Sequence, residues 1–417
     1  MNDVRAVVVE KLVPGGEGLV RLDNGEIGLI SGALPEEQVE VAWGPSKKRV
    51  RRGRVLRVLQ ASATRVEPEC PIASACGGCD WLHLEYSAQL EQKALLVREA
   101  LTRTGRVRDI PQFRVVPSAS VSHYRSRIRV HFEPGARIGF FAGESHRLVD
   151  VAECWIARPE LNQALSTLRS LAARFPALTR DFAQAELRID VPATRCLLRL
   201  FPREGARRPE QALMSALSEQ FLLVASANSA TSQRFHLEPE LWLEAPADAF
   251  VQVNWGTNQE LVRRVTEGAR ARGLRSFADL YAGVGNFSLA LARAGLSGIS
   301  VEGHPAASAA ASRAAMAQGF TSVEVVCSDA AAWLSRAPRP FPHDWVLLDP
   351  PRAGARELVP ELLQRKPSVI AYCACDPVTL ARDLGQLVGG GYRLEALEAF
   401  DMFPGTHHVE VLAWLAG

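Results

Sequence analysis

The 417-residue chain is 47% hydrophobic and 23% charged, a balance that excludes general disorder and provides for two or three separately cored domains. Its net charge of +2 excludes a uniformly basic chain, so contact with nucleic acid must rest on local patches. The start, MNDVRAVVVEKLVPGG, lacks a basic segment before a long apolar run, and no stretch approaches the roughly 18 apolar residues of a membrane span, so a cytoplasmic protein without a membrane partner is expected.

Over residues 1–60, strand signals in RAVVVEKL, GLVRL, EIGLI, QVEVAW and RVLRVLQ are broken by the turns PGGEG and DNG, which predicts a small antiparallel barrel. Lys47, Lys48, Arg49, Arg51, Arg52, Arg54 and Arg57 are interrupted by no acid. Such a run suits phosphate contacts, and it equally suits a solvated, aggregation-resistant sheet edge.

Residues 61–245 read as a mixed α+β unit. It opens on Cys70, Cys76 and Cys79 in ECPIASACGGCDWLH, with Cys154 in VAECWIA as a remote fourth candidate. Eight cysteines in an intracellular chain point to metal binding or catalysis before disulfides. Four thiolates hold either zinc or an iron–sulfur cubane; paired spacing favours zinc, whereas three clustered ligands and one distant one suit a [4Fe-4S] cluster. Cys196 and Cys327 need no role. The spacing of Leu90, Ala94, Val97 and Leu101 predicts a helix from about Ser87 to Thr104, before Gly105. In YRSRIRVHF, Arg125, Arg127, Arg129 and His131 alternate with Tyr124, Ser126, Ile128, Val130 and Phe132, giving a strand with one cationic and one apolar face. That cationic face suits either an RNA backbone or intramolecular ion pairs.

Residues 246–417 alternate strand and helix signals from about Asn258 onward, the pattern of a doubly wound parallel sheet. The last two apolar segments, YRLEALEAF and HHVEVLAWL, have no long helix between them and predict an antiparallel hairpin at one sheet edge, as in Rossmann-like methyltransferases. In Asp279–Asn286 a strand meets a glycine turn, and Ser288 stands where a dinucleotide fingerprint would want a third glycine. Glu302 and Asp329 end the next two strands, where acids can accept from the ribose hydroxyls and adenine amine of a nucleoside cofactor; each alone would also serve as a helix cap. Asp349-Pro350-Pro351-Arg352 closes the fourth strand, with arginine where amine-methylating enzymes carry a stacking aromatic.

Cys375 ends the fifth strand just before VTLARD, and the dipole of that helix is expected to favour its thiolate. A thiolate adding to carbon 6 of uracil makes carbon 5 nucleophilic toward an electrophilic methyl. A base must then remove the carbon-5 proton, and Glu410 is the leading candidate, with His407 and His408 competing. Cys373 shares the strand face but should sit deeper.

FVQVN from Phe250, DLYAGVGNFS from Asp279, VEG ending at Gly303, DPPRAG from Asp349, ACDP from Ala374 and DMFPGTHHVE from Asp401 together resemble the RNA uridine-5 methyltransferases. The closest resemblance is to members with an N-terminal OB-like TRAM barrel and a [4Fe-4S] cluster. It implies an α/β fold with a class I S-adenosylmethionine-dependent methyltransferase domain and an RNA-binding barrel. It further implies that Gln252, Tyr281, Asn286, Glu302, Asp329 and Asp349 line the S-adenosylmethionine site, that Cys375 is the nucleophile and Glu410 the base, and that Cys70, Cys76, Cys79 and Cys154 hold the cluster. Ala282 stands where the family commonly has cysteine, and Cys373 is an added thiol. A uridine of 23S ribosomal RNA is the expected target, with transfer RNA second and no obligate protein partner. A noncatalytic RNA-binding factor and an iron–sulfur redox protein using a nicotinamide are the competing classes.

Overall fold

The computed structural model describes residues 4–192, 195–206, 209–224 and 231–417. At the N-terminus a six-stranded sheet is closed by one interrupted stretch of chain. Val4–Val8 pairs antiparallel with Gln38–Lys47, and its continuation Lys11–Leu12 pairs with Gly18–Arg21 at the other end of the strand order. Between them the Glu10 amide donates to the Leu19 carbonyl at 2.8 Å. The barrel departs from the antiparallel expectation at one pair: Ile27–Ser31 runs parallel to Val50–Gln60. Residues 32–37 cross over so that the second strand of the following hairpin, not the first, lies against Ile27–Ser31. Val20, Ile30, Val39, Val41 and Trp43 fill the interior, and glycine is required at 28 because a Cβ there would lie 2.4 Å from the Trp43 ring.

A second six-stranded sheet follows in the order Leu148–Asp150, Arg137–Phe141, Arg127–Glu133, Phe182–Arg188, Leu197–Pro202, Leu222–Val224. Helix Pro159–Arg174 lays Leu161, Leu165 and Leu168 over Ile128, Val130 and Phe132. The period-2 alternation of that strand is therefore seen as one packed and one outward face. On the outward face Arg129 pairs with Glu186 at 2.9 Å and His131 stacks on Phe141 at 3.7 Å between centroids, so part of the expected cationic surface is engaged within the protein.

The third sheet has eight strands, ordered Val323–Cys327, Ser297–Glu302, Ser276–Leu280, Trp345–Leu348, Val369–Ala374, Glu410–Ala416, Arg393–Phe400, Val115–Val116. The first five are mutually parallel, and Glu410–Ala416 is antiparallel to both its neighbours, the hairpin expected from sequence. Helices cover both faces: Ala278, Leu280, Val346 and Leu348 face one core, and Phe277, Trp345 and Leu347 the other. Two segments numbered within 61–245 join these cores. Helix Tyr86–Arg103 packs Val97, Ala100 and Leu101 against Leu380 and Leu384, and hairpin Ser232–Glu238/Leu241–Pro246 packs Phe235 and Leu243 on the opposite face. Val115–Val116 covers the edge that the C-terminal hairpin would otherwise expose. No helix among the described residues is long and apolar enough to cross a membrane.

On the buried face of Tyr86–Arg103, Lys93 makes an ion pair with Asp401, both side chains being 0% exposed, and its Nζ also donates to the Phe403 carbonyl at 3.1 Å. Burial pulls the Lys93 pKa down while the Asp401 carboxylate opposes that shift. Removing one member of such a pair leaves a buried charge without its partner. Lys93→Ala should therefore cost about 3–5 kcal/mol, read as a fall in the urea midpoint of the full chain; an unchanged midpoint would mean the pair is dispensable.

Candidate active site

The carboxyl ends of the five parallel strands set Tyr281, Glu302, Asp329, Asp349 and Cys375 along one edge of the sheet. Glu410 reaches the same edge from the opposite direction. In the antiparallel pair, Val369 lies across from Ala416 and Ala374 from Val411; one further step of that register sets Glu410 across from Cys375. The same residue is held on its other side opposite Phe400. The proposed nucleophile and base, 35 positions apart by number, are thus brought to the same end of two paired strands.

Glu410 is 2% exposed, and burial with the neighbouring Asp349 charge holds its pKa well above the carboxylate range. Burial likewise pushes Asp349 up to about 7. Deeper in the same strand layer, Asp279 is also pushed up to about 7 by burial, although Ser288 donates to it at 2.5 Å. Against this background the expected lowering of Cys375 is not what the structure shows. Its thiol is pushed up to about 11, first by burial and then by the Glu410 charge, with the Arg352 guanidinium acting in the opposite sense. The helix after it, Pro377–Gly389, takes its N-cap from Asp376, whose carboxylate accepts from the Val378 and Thr379 amides at 3.0 and 2.8 Å. That acid consumes amide donors at the terminus where the dipole would have assisted a thiolate. Cys373 is fully buried.

The candidate cofactor residues divide by what they already hold. Glu302 accepts from the Gly283 amide at 2.8 Å and the His304 amide at 2.7 Å, which fixes its carboxylate at the strand end and leaves further lone pairs free. Gly283 has φ +58°, and a Cβ built on it would meet nothing within 4 Å; the backbone is open to a ligand there. Tyr281 just before it also has a positive φ, 66°. Asn286 exchanges two hydrogen bonds with Asn258, at 2.9 and 3.0 Å. Asp329 caps helix Ala330–Arg336 through the Ala332 amide at 2.9 Å, so the capping role weighed from sequence is present in that side chain. Gln252 is buried ahead of helix Trp255–Ala271.

Cys70, Cys76, Cys79 and Cys154 line one cavity of about 200 Å³ with Ile72, Phe140 and Arg125. Gly77 lets that loop approach the 142–143 backbone, since a Cβ would lie 2.7 Å from the Gly143 amide nitrogen. Burial, and then the charge of Cys154, pushes the Cys79 thiol up to about 12. Among the described residues no three His, Cys, Asp or Glu side chains converge as donors to a single metal ion.

Known proteins resemble this chain over nearly its full length. The 23S rRNA (uracil(1939)-C(5))-methyltransferase of Chromohalobacter salexigens is 32% identical over 98% of this chain and 88% of its own. The corresponding protein of Shewanella halifaxensis is 32% identical over 95% of this chain and 92% of its own. The chain belongs to the RNA (uracil-5-)-methyltransferase family. The family described as tRNA (Uracil-5-)-methyltransferase matches residues 339–417, the segment carrying Asp349, Cys375 and Glu410. In fold, the chain is similar to the tRNA (uracil-54, C5)-methyltransferase of Pyrococcus abyssi solved with S-adenosyl-L-homocysteine, with a TM-score of 0.75 at 24% identity over 99% of this chain and 100% of that one.

As a methyltransferase of this family the chain uses S-adenosylmethionine on RNA, and a cleft of about 1390 Å³ opens between the barrel, the cysteine-bearing segment and the 403–408 loop. Arg52, Arg54 and Arg65 line it from the barrel side, Arg125 and Arg147 from the middle sheet, and Arg352, His407 and His408 from the catalytic unit. Of the basic run at 47–57, only Arg52 and Arg54 reach it, and Arg52 is paired there with Glu17 and, at 3.2 Å, with Glu144. Sequence reasoning missed Lys93, Asp401 and Asp80, whose partners lie about three hundred positions away. Because the Cys375 thiol titrates far above neutrality, the fraction of thiolate grows with pH throughout the working range. The initial rate of covalent adduct formation with RNA should therefore rise by up to about tenfold per unit from roughly pH 6.5 to 9, seen by denaturing gel; a plateau near neutrality would mean that the thiolate is already formed.

Proposed function

We propose that this enzyme methylates carbon 5 of a uridine in 23S ribosomal RNA, with Cys375 as nucleophile and Glu410 as base. The observation that carries the reading is the strand register, which pairs Ala374 with Val411 and so brings Cys375 and Glu410 to the same end of adjacent strands. Bound S-adenosylmethionine supplies an electrophilic methyl on its sulfonium. Cys375 gives its thiol proton to solvent and adds as thiolate to carbon 6, and the displaced π electrons make carbon 5 the atom that would take the methyl, with the sulfonium leaving as a neutral thioether. Glu410 then removes the proton from carbon 5, and expulsion of the Cys375 thiolate restores the ring double bond. His408 is the weaker rival for this step, because burial and the neighbouring His407 push its pKa down to about 4, and His407 is already engaged through Nδ1 with Asp80.

Tyr281, Asn286, Glu302, Asp329, Asp349 and Gln252 hold the methyl donor in this reading, supported by the open backbone over Gly283 and the free lone pairs of Glu302. Residues 1–60 form the RNA-binding barrel, 61–245 the middle unit and 246–417 the catalytic unit, with helix Tyr86–Arg103, strand Val115–Val116 and hairpin Ser232–Glu238/Leu241–Pro246 packed into the catalytic unit, and the enzyme works in the cytoplasm. The four cysteines fit a [4Fe-4S] cluster better than zinc. The support for this is the spacing, three clustered cysteines and one remote, together with the cavity of about 200 Å³ that all four line. A uridine of transfer RNA is the second reading, favoured by the description of the family that matches the C-terminal segment.

Mass spectrometry of nucleosides from a strain lacking the protein should show 5-methyluridine lost from ribosomal RNA and retained in transfer RNA; the converse loss would favour the second reading. With the purified enzyme, Cys375→Ala should abolish turnover and adduct, and Glu410→Gln should let the adduct accumulate. Methylation by the Cys375→Ala enzyme would overturn the mechanism.

A further inference from the structure

We propose that Asp80 is a positioning residue for the base, acting through His407. The segment Asp401–Val409, which delivers the chain to Glu410, is gripped from several sides. Asn254 donates to the Met402 carbonyl at 3.2 Å, Tyr124 to the Pro404 carbonyl at 3.0 Å, and the Trp81 amide to the Gly405 carbonyl at 2.9 Å. The last of these holds before Glu410 is Asp80. One carboxylate oxygen accepts from the His407 amide at 3.1 Å, and the other accepts from His407 Nδ1 at 2.5 Å. Beyond it, the His408 amide bonds only within the segment, to Thr406 at 3.3 Å. His407 passes the constraint on, because its ring lies 4.1 Å from that of His408 between centroids, and both rings line the cleft with Arg352.

The pair is also closed in from the barrel. Gly16 has φ +80°, and a Cβ on it would fall 1.9 Å from an Asp80 carboxylate oxygen and 3.2 Å from His407 Nδ1. Trp81, fully buried, donates its indole N–H to the Gly16 carbonyl at 3.0 Å. Asp80 therefore sits where the barrel turn, the cysteine-bearing segment and the base-bearing segment meet. A two-point hold on His407, amide and ring together, fixes both its backbone and its rotamer. Losing it frees the residues next to Glu410 without touching Cys375, whose position comes from the strand Val369–Ala374.

The inference rests on the proposed roles of Cys375 and Glu410. It is tested on the iron-loaded enzyme with Asp80→Ala, and with His407→Ala as a variant remote in sequence from the cysteines. Both should lower kcat roughly 10- to 100-fold, the range for a displaced catalytic group, with the KM for RNA unchanged. Both should also accumulate the Cys375–RNA adduct on denaturing gels, because the step that fails is proton removal. Asp80→Asn, which keeps an acceptor oxygen, should fall less. Iron content and S-adenosylhomocysteine affinity should stay at the parent level. Parent-like kcat without adduct in both variants would overturn the inference, and so would loss of activity that merely follows loss of iron. If Glu410→Gln accumulates adduct and these variants do not, positioning alone has failed; if Glu410→Gln forms none, the reading of the base has failed.

Discussion

The buried pair between Lys93 and Asp401 is the constraint on which the catalytic end of the molecule depends. Two charges withdrawn from water cost several kcal/mol each unless geometry and further hydrogen bonds compensate. Here the compensation is structural: Lys93 also reaches the Phe403 carbonyl, and the Asp401 amide donates to the Val116 carbonyl at 2.9 Å. The pair therefore joins helix Tyr86–Arg103, the edge strand Val115–Val116 and the first residue of the segment leading to Glu410. An apolar pair of similar volume would pack as well, but it would not specify which carbonyl lies where. Directional bonds do so, and they begin a chain of attachments that continues residue by residue to His407.

That design explains why parts of the first half of the chain belong physically to the second. The parallel sheet alone sets Cys375, because a strand end in a doubly wound fold is positioned by its own ladder. Glu410 begins a strand and is preceded by a connection, and connections are positioned by whatever surrounds them. The surroundings are Gln89 and Lys93 from one helix, Tyr124 from the approach to the middle sheet, Asn254 at a helix cap, and Trp81 beside the cysteines. Of the two reacting groups, the base is the one whose placement draws on the rest of the molecule.

The parts legible in the sequence were those written locally. Glycine turns, acids at strand ends and the alternation in YRSRIRVHF each lie within a few residues, and the structure places them at the sheet edge and on two-faced strands. The strand-end places of Cys375 and Glu410 were legible because each closes or opens an apolar strand signal. Lys93 was not found, since a lysine on a helix normally marks its solvated face, and its partner lies 308 positions on. Asp80 was hidden similarly, 327 positions from His407. The parallel strand pair in the barrel escaped because alternation reports which face is buried but not which neighbour is chosen. The expected acidity of Cys375 failed for a related reason. The helix following it is visible in sequence, whereas the burial that pushes its thiol up, and after burial the closeness of Glu410, are products of the fold.

The raised Cys375 thiol and the raised Asp349 and Glu410 carboxyls share a first cause, burial in a water-poor corner, where the Arg352 guanidinium acts in the opposite sense on the thiol. A site tuned for thiolate alone would exclude acids from that corner. In the proposed mechanism the same few ångströms also serve proton removal from carbon 5, and a carboxylate held above its ordinary pKa is a stronger base than one in water. The raised Cys375 thiol follows first from burial and then from the acid beside it. Both steps of the reaction are favoured by the loss of a proton, so the arrangement reconciles them by pH and by Arg352 rather than by separating the two groups.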